Sequence, residues 1–456
     1  MDWKQKTYPM YDADVKQPCI SKTMAVGNIL FLSSFDGRNL ETGKAPSKKF
    51  EEQMVVCLDN IKAALEEAGS SINHLVKNTI FLKNIADCPN MWKTMLEYFK
   101  KKAPQLVEQP PVVTVCQVSP LVKPECLIEI DSIAVVSMND PGCQVKKYPM
   151  YYGGVKQVYP NVKPGKPFFS ESVAVGNLLF LSAMGPEDPE TGKIETDNFE
   201  QQMDIAWDKI KKAMSNAGSS LNNVIKTFHF QTRLEDLLTE GKDKGAAYNP
   251  ISDRLWHSEL WYYEKNCPWL LDDFPAHIPT STFMKVLSLE DPKTSVATEI
   301  TGVVSRFDRP GWEVKHYPSY MSKRGFPRGI ADVIKYYSNT ILVGKLIFIS
   351  GQPGWDLTTG RIESNKFEDQ MLVALDNLKY AMEQSGSSLE YLVKTNMLLV
   401  RPEKYSKMRK MELEYYKKHA PRLVEQPPAS TCIQLYNLYS PMALVELDAV
   451  GYIPNP

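Results

Sequence analysis

The chain has 456 residues, more than one ordinary hydrophobic core accommodates, so its length predicts two or three domains. Hydrophobic residues make up 43% of the sequence and charged residues 23%, which is typical of folded domains and argues against extended disorder. The 53 lysines and arginines nearly balance the 54 aspartates and glutamates, and the formal net charge is −1. This balance favours neither nucleic acid nor an anionic membrane surface as a partner.

The sequence lacks the patterns of membrane-spanning, secreted and metal-binding proteins. The longest apolar runs are much shorter than the roughly 18 residues that a membrane span needs. Residues 1–18 are polar and lack the apolar segment of a signal peptide, which favours a cytoplasmic chain with reduced cysteines. The cysteines and histidines form no pair with zinc-ligand spacing, and the sequence contains no glycine-rich phosphate loop. The sequence therefore predicts neither a metal site nor a cofactor.

A threefold repeat runs along the chain. The segment Phe-Glu-x-Gln-Met occurs at 50–54, 199–203 and 367–371, and Gly-Ser-Ser follows it at the same distance each time. Each unit also opens with Tyr-Pro-x-Tyr. The unit is too long for a solenoid repeat, so each copy is expected to own a core. We predict three copies of one domain, with the bounds 1–140, 141–309 and 310–456.

Copy one has the pattern of a mixed α+β domain. Apolar residues recur every three or four positions over 50–68, which predicts an amphipathic helix that ends at Gly69. A second helix is predicted over 90–102. Apolar runs predict strands over 26–33, 75–82, 112–118 and 126–136. This order suggests an α+β fold with both helices on one face of the sheet.

Copy two is longer than the other two copies. The extra residues are assigned to an insertion near 233–268, a segment rich in tryptophan and tyrosine that contains Trp256. One interpretation is a lid or pocket wall. The other is an ordinary packing extension that buries these aromatic side chains.

The repeated motifs resemble those of a known family. The segments VGNxLFLS, ETGK, FExQM, GSS, VxKT, PPxxT and a closing L(I/V)E(I/L)D are similar to the Rid family of reactive-intermediate deaminases, also called the YjgF family. The resemblance extends over nearly the whole chain and is strongest in copy three. It implies a chorismate-mutase-like fold that forms trimers, with the sheets lining a central barrel, the helices outside and ligand pockets between subunits. Three copies in one chain then imply an intramolecular pseudo-trimer that is a monomer or a weak dimer.

The resemblance also implies that the usual anion clamp is missing. Family deaminases hold the substrate carboxylate with an arginine, and the matching positions here are Val113, Ser281 and Ser430. Because these side chains cannot replace a guanidinium, an altered substrate is expected.

The water-positioning glutamate of the family is matched to Glu129, Glu299 and Glu446 on the closing strands. A carboxylate that faces a semi-enclosed pocket can orient or deprotonate the water that attacks an imine carbon. The other interpretation is a solvated or salt-bridged glutamate on an exposed sheet face.

Further candidate substrate-binding residues lie mostly in copy three. The resemblance places Tyr337 and Cys432 beside the pocket, and Ser430 and Gln352 lie in matching motifs. Arg233 and Arg401 occupy equivalent positions after the second long strand of copies two and three, where either arginine is a candidate for binding the ligand from a new direction. Ordinary exposed arginines are the alternative.

We therefore predict a hydrolase or deaminase acting on a small enamine, imine or amide-like metabolite in pockets between the copies. The alternative is a Rid-like protein that binds or senses a small ligand without turnover. Ribonuclease activity, attributed to some relatives, is disfavoured by the charge balance. Because fusion allows each pocket to diverge, unequal pockets are expected, with copy three contributing to the functional one.

Overall fold

The structure is a computed structural model that describes residues 3–11, 18–118, 120–150, 167–189, 191–233, 254–272, 277–318, 337–357, 359, 361–400, 404–438 and 440–455. These residues form a mixed α+β fold, as predicted. Within them, no helix is long and apolar enough to cross a membrane.

Copy one contains seven strands and three helices in its described residues. The strands are β1 (Gln5–Tyr11), β2 (Pro18–Val26), β3 (Ile29–Leu32), β4 (Phe35–Asp36), β5 (Leu75–Leu82), β6 (Val112–Gln117) and β7 (Ile128–Val135). The helices are α1 (Phe50–Glu67), α2 (Cys88–Lys102) and α3 (Gln105–Glu108). The predicted strand over 26–33 is confirmed as β3, but it starts too early, because Gly27 has a φ of 59° and turns the chain between β2 and β3.

Copies two and three contain the same succession of main elements. In copy two these are β8 (Val145–Pro149), β9 (Ser170–Val175), β10 (Leu178–Leu181), α4 (Phe199–Asn216), β11 (Val224–Gln231), α5 (Arg254–Asn266), β12 (Thr280–Lys285) and β13 (Val296–Val303). In copy three they are β14 (Val314–Pro318), β15 (Ser338–Val343), β16 (Leu346–Pro353), α6 (Phe367–Gln384), β17 (Leu392–Leu399), α7 (Tyr405–His419), α8 (Arg422–Glu425), β18 (Ala429–Gln434) and β19 (Val445–Tyr452).

The order of strands within the sheet is the same in every copy. It is β1-β2-β3-β7-β5-β6 in copy one, β8-β9-β10-β13-β11-β12 in copy two and β14-β15-β16-β19-β17-β18 in copy three. Neighbours are antiparallel except for the last pair, which is parallel in each copy. A short parallel pairing of β18 with β2 joins copies three and one into one 13-stranded sheet, whereas the sheet of copy two has six strands.

Five clusters of buried apolar residues stabilise the fold of the described residues. Three of them lie between the sheet and the helices of a single copy, each built chiefly from that copy's own residues. The other two combine residues from all three copies. Phe31, Phe180 and Phe348, which are equivalent residues of the three copies, share one of these joint clusters. Burial of apolar surface therefore holds the copies to one another as well as folding each of them.

The helix α5 corrects the predicted extent of the insertion. The Tyr262 hydroxyl donates to Asp208, just as Tyr98 and Tyr415 in helices α2 and α7 donate to aspartates of α1 and α6. The residues of α5 are therefore the ordinary second helix of the domain and not part of an insertion. Residues 234–253, which precede α5, lie outside the described residues.

Candidate active site

Equivalent hydrogen bonds connect each copy to the next and define three junctions. The backbone N–H of Val113 in copy one donates to the hydroxyl of Ser182 in copy two, at 2.9 Å. The N–H of Ser281 in copy two donates to Ser350 in copy three at 2.9 Å, and the N–H of Ser430 in copy three donates to Ser33 in copy one at 2.7 Å. We call these contacts junction 1–2, junction 2–3 and junction 3–1. The three donors occupy the positions matched to the family arginine.

A buried or partly buried ion pair crosses each junction, and a threonine hydroxyl donates to the same carboxylate. The pairs are Lys77 with Glu299, Lys226 with Asp448 and Lys394 with Asp131, and the threonines are Thr114, Thr282 and Thr431. Each lysine comes from the first copy of its junction and each carboxylate from the second. Close pairing with additional hydrogen bonds is what allows such charges to be buried.

The strand register corrects the predicted role of Glu299. Glu299 lies opposite Phe228, and the equivalent residues of β5 and β17 lie opposite Asp131 and Asp448. Glu299 is therefore the counterpart of these two aspartates, and its match to Glu129 and Glu446 is wrong by two residues. The position of the family glutamate holds Ala297 in copy two. The shift keeps Glu299 on the same face of β13, so the alternating pattern concealed it.

Junction 2–3 contains an open cavity, with about 540 Å³ of space that includes the open solvent at its mouth. Copy two contributes Trp256 from α5 and two residues of β12. Copy three contributes Tyr337 together with residues of β16 and β19 and of the segments beside them. The residues that define its chemistry are Trp256, Ser281, Phe283, Tyr337, Trp355 and Glu446. The Trp256 and Tyr337 rings are stacked, with centroids 6.1 Å apart. The structure thus brings two predicted site residues, Tyr337 and Glu446, into one cavity.

Glu446 is the carboxylic acid among the described residues that line this cavity. It is 6% exposed, and burial raises the pKa of its carboxyl to about 8; Asp448 adds to the shift and Lys226 opposes it. A Cβ at Gly351 would lie 1.8 Å from the Glu446 carboxylate, so glycine provides the room that this carboxyl occupies. In the described part of the chain, Glu446 accepts no hydrogen bond, which leaves its carboxyl available to a ligand.

A second carboxyl with a raised pKa lies at junction 3–1, in a different setting. Burial raises the pKa of Glu129 to about 8, and the Ser34 hydroxyl, which donates to the carboxylate, opposes this shift. Across the junction, burial raises the pKa of Cys432 to about 12, which keeps the thiol protonated and unreactive. The predicted residue Ser430 accepts a hydrogen bond from Arg409 at 2.9 Å.

The sequence analysis missed Arg409. It lies on α7 at the position that Trp256 takes on α5, and it forms a 2.8 Å ion pair with Glu412. The guanidinium is thus neutralised by a carboxylate of its own helix while it contacts Ser430. Aligning the second helices of the three copies on Tyr98, Tyr262 and Tyr415 would have found it, because this alignment places Arg409 opposite Trp256.

Junction 1–2 is apolar at the equivalent positions. Trp92 packs against Phe168 and Phe169, with centroids 5.5 and 6.0 Å apart. Val113 and Ala297 stand where the family has its arginine and glutamate, and neither side chain can take part in acid–base chemistry. Trp92 is 4% exposed. At these positions the junction has the composition of a packed core.

The remaining predicted residues lie elsewhere. The Gln352 side chain is buried, and its amide donates to Asn339 at 3.0 Å and to the Ser350 carbonyl at 2.9 Å, so it stabilises β16. Arg233 is half-buried and is not among the residues that line the cavity. Arg401 lies outside the described residues. Within those residues, no group of histidine, cysteine, aspartate and glutamate side chains could hold a metal ion.

A buried polar pair supports the cavity wall in copy two and was also missed. His229 lies with its Nε2 3.4 Å from the Glu259 carboxylate, while its Nδ1 is 3.0 Å from the Thr298 hydroxyl. The His229 ring contacts Trp256 edge-on, with centroids 6.3 Å apart. Glu259 also accepts a hydrogen bond from Tyr263. This pair connects α5 to the sheet directly behind Trp256.

Comparison with known proteins agrees with this description. A family model described as endoribonuclease L-PSP matches residues 18–136, 162–257 and 330–453. A RutC family protein of Pyrococcus abyssi is 37% identical over 114 residues, which are 25% of this chain and 84% of that protein. The human 2-iminobutanoate/2-iminopropanoate deaminase is 29% identical over 85 residues, covering 19% of this chain and 62% of the enzyme.

A solved structure shows the same fold over most of the chain. A chorismatase crystal structure aligns with a TM-score of 0.50 at 9% identity, covering 83% of this chain and 93% of that protein. At this identity the similarity concerns the fold alone. The three family matches, by contrast, cover most of the sequence and coincide with the three structural copies. The chain therefore belongs to the endoribonuclease L-PSP family, also called the Rid or YjgF family, and carries its domain three times.

Proposed function

We propose that the protein is a deaminase-type hydrolase that acts on a small imine, enamine or amide-like compound in the cavity at junction 2–3. One observation carries this proposal: the Glu446 carboxyl faces an aromatic cavity with its pKa raised to about 8. A group that titrates close to neutral pH is suited to exchange protons with a substrate. Family members named as imine deaminases support the general type of reaction.

The proposed reaction replaces an imine nitrogen by oxygen. At neutral pH the protonated Glu446 donates its proton to the imine nitrogen, and a water molecule adds to the imine carbon. The Glu446 carboxylate takes a proton from this water, which gives a carbinolamine. Glu446 then gives that proton to the amine nitrogen and the C–N bond breaks, which releases ammonia. The hydroxyl proton of the carbinolamine passes to the Glu446 carboxylate as the carbonyl product forms. One water is consumed for each ammonia released, and Glu446 ends protonated as it began.

The substrate is proposed to differ from those of relatives that use an arginine. Ser281 stands in the arginine position of this cavity and is 8% exposed. Its hydroxyl oxygen accepts a hydrogen bond from Thr227 at 2.9 Å, so its own proton can be donated to a ligand. A single neutral hydroxyl supplies one directed hydrogen bond but no charge to balance a carboxylate.

A comparison of two glutamine variants tests the proposed reaction. Glu446→Gln should lower kcat for ammonia release from small imines by about 100-fold or more, because it removes the group that exchanges protons. Glu129→Gln is the matched control, since Glu129 has a similarly raised pKa at another junction, and it should leave kcat unchanged.

In the wild type, kcat/KM should fall as pH rises through about 8, since the protonated form of Glu446 is lost there. Ligand binding with no turnover at any pH would instead support a non-catalytic binding protein.

We also propose that the three junctions close the chain into an intramolecular ring, with the sheets around a central barrel and the helices outside. Three equivalent sets of contacts and two apolar clusters shared by all copies support this arrangement. The ring predicts a solution mass of one chain, or of two chains for a weak dimer, by light scattering. A trimer of chains would contradict it. A small-molecule partner, without nucleic acid or membrane, and a cytoplasmic location stay predictions.

A further inference from the structure

For the cavity at junction 2–3, and resting on the function proposed for it, we infer that the substrate class is a planar, ring-bearing imine or enamine without a carboxylate. Aromatic side chains supply much of the cavity wall. Trp256 and Tyr337 are stacked with an interplanar angle of 29°, and Phe283 and Trp355 line other parts of it. Offset stacking and apolar contact with such side chains favour flat ring systems.

The charges around the cavity disfavour an anionic ligand. None of the described residues that line it is a lysine, arginine or histidine. The nearby cation that acts on Glu446 is Lys226, and its ammonium already donates to Thr282, to the Ile349 carbonyl and to Asp448. A lysine ammonium has three donors, so all those of Lys226 are in use within the protein. Among the residues that the structure describes, a substrate carboxylate would therefore find no cation to pair with, and it would be desolvated close to Glu446 and Asp448.

The polar groups fit the other end of such a substrate. Glu446 can donate a proton to an imine nitrogen, and the Ser281 hydroxyl can donate one hydrogen bond. These two groups come from different copies, so a ring held against Trp256 and Tyr337 would present its C=N bond to both sides of the junction. Aromatic contact provides affinity and the two polar groups provide orientation.

Calorimetric titration of the full chain with a matched pair of probes tests this inference. The probes are 3,4-dihydroisoquinoline, a planar cyclic imine, and 3,4-dihydroisoquinoline-1-carboxylate, which adds only the anion. The probe without a carboxylate, 3,4-dihydroisoquinoline, should bind at least about tenfold more tightly than the carboxylate. Equal or tighter binding of the carboxylate, or no binding of either probe, would overturn the inference.

Two tryptophan variants locate the binding site. Trp256→Ala should weaken binding of 3,4-dihydroisoquinoline by about tenfold, because the ring loses its stacking partner. Trp261→Ala is the matched control, since Trp261 lies on the same helix and is 74% exposed. It should leave the affinity unchanged. Equal affinity of the Trp256→Ala variant and the wild type would place the probe elsewhere and overturn the inference.

The variant Glu446→Gln separates this inference from the proposed function. If the probe preference holds but Glu446→Gln releases ammonia from imines as fast as the wild type, the substrate class stands and the proposed reaction fails. If turnover depends on Glu446 but carboxylate-bearing imines are preferred, the reaction stands and the substrate class fails.

Discussion

Junctions 1–2 and 2–3 share one backbone design but differ in what lies between the copies. At both, a backbone N–H donates to a serine of the next copy, and a lysine pairs with a buried carboxylate. Trp92 packs against two phenylalanines in the first junction, whereas a cavity lined by Glu446 lies in the second. The backbone contacts that join the copies are thus the same at both junctions, whereas the side chains between the copies differ. Covalent fusion allows those positions to change in one junction without changing in the others.

Junction 3–1 holds a carboxyl with a similarly raised pKa, but its surroundings differ from those of Glu446. Glu129 matches Glu446 in position and in the direction of its pKa shift. Yet Ser34 donates a hydrogen bond to it, and the paired Arg409 and Glu412 stand across the junction. What distinguishes Glu446 is the room beside it and the absence of a hydrogen bond to it from the described residues.

The largest difference between the two junctions is expected in the free energy of unfolding when the tryptophan of each is replaced by alanine. Trp92→Ala should lower the free energy of unfolding by about 3–5 kcal/mol, because it leaves a cavity among buried aromatic rings. Trp256→Ala is the matched variant on the equivalent helix, and it should cost roughly 1–2 kcal/mol because Trp256 is only partly buried beside open space. Urea denaturation followed by circular dichroism measures both values.

Equal costs for the two variants would contradict this difference between the junctions. In that case Trp256 would be packed as tightly as Trp92, and junction 2–3 would hold no accessible site. Ammonia release provides a second readout. Under conditions where the protein stays folded, Trp92→Ala should leave it unchanged, since no group at junction 1–2 takes part in the proposed reaction.

The sequence predicted the repeated fold and part of the site for identifiable reasons. Recurrent motifs fixed the three copies, and Tyr337 and Glu446 were found because copy three departs least from the family pattern. Glu299 was misplaced because a two-residue shift preserves the face of a strand, and only the register against β11 reveals it. Trp256 was noticed as one of several aromatic residues, but its place in the cavity depends on packing between copies, which no local pattern encodes.

A smaller effect on turnover is expected from substituting Gly351, the residue beside Glu446. Gly351, Ser34 and Ala183 are equivalent, and only the glycine stands beside a carboxyl that faces the cavity. Gly351→Ser should place a side chain against the Glu446 carboxylate, where a Cβ alone would approach to 1.8 Å, and force the carboxylate to move. The new hydroxyl would also bond to it, as Ser34 bonds to Glu129. We expect kcat to fall by about 10- to 100-fold.

Ala183→Ser is the matched control for this change, because it adds a hydroxyl at the equivalent position of junction 1–2, where Ala297 replaces the glutamate. Its kcat should equal that of the wild type. Steady-state ammonia release, with thermal unfolding as a check on folding, compares the two variants. If Gly351→Ser kept full activity, the room beside Glu446 would not be what separates the junctions. The difference would then lie in the aromatic wall, where junction 3–1 has Arg409 in place of the tryptophan.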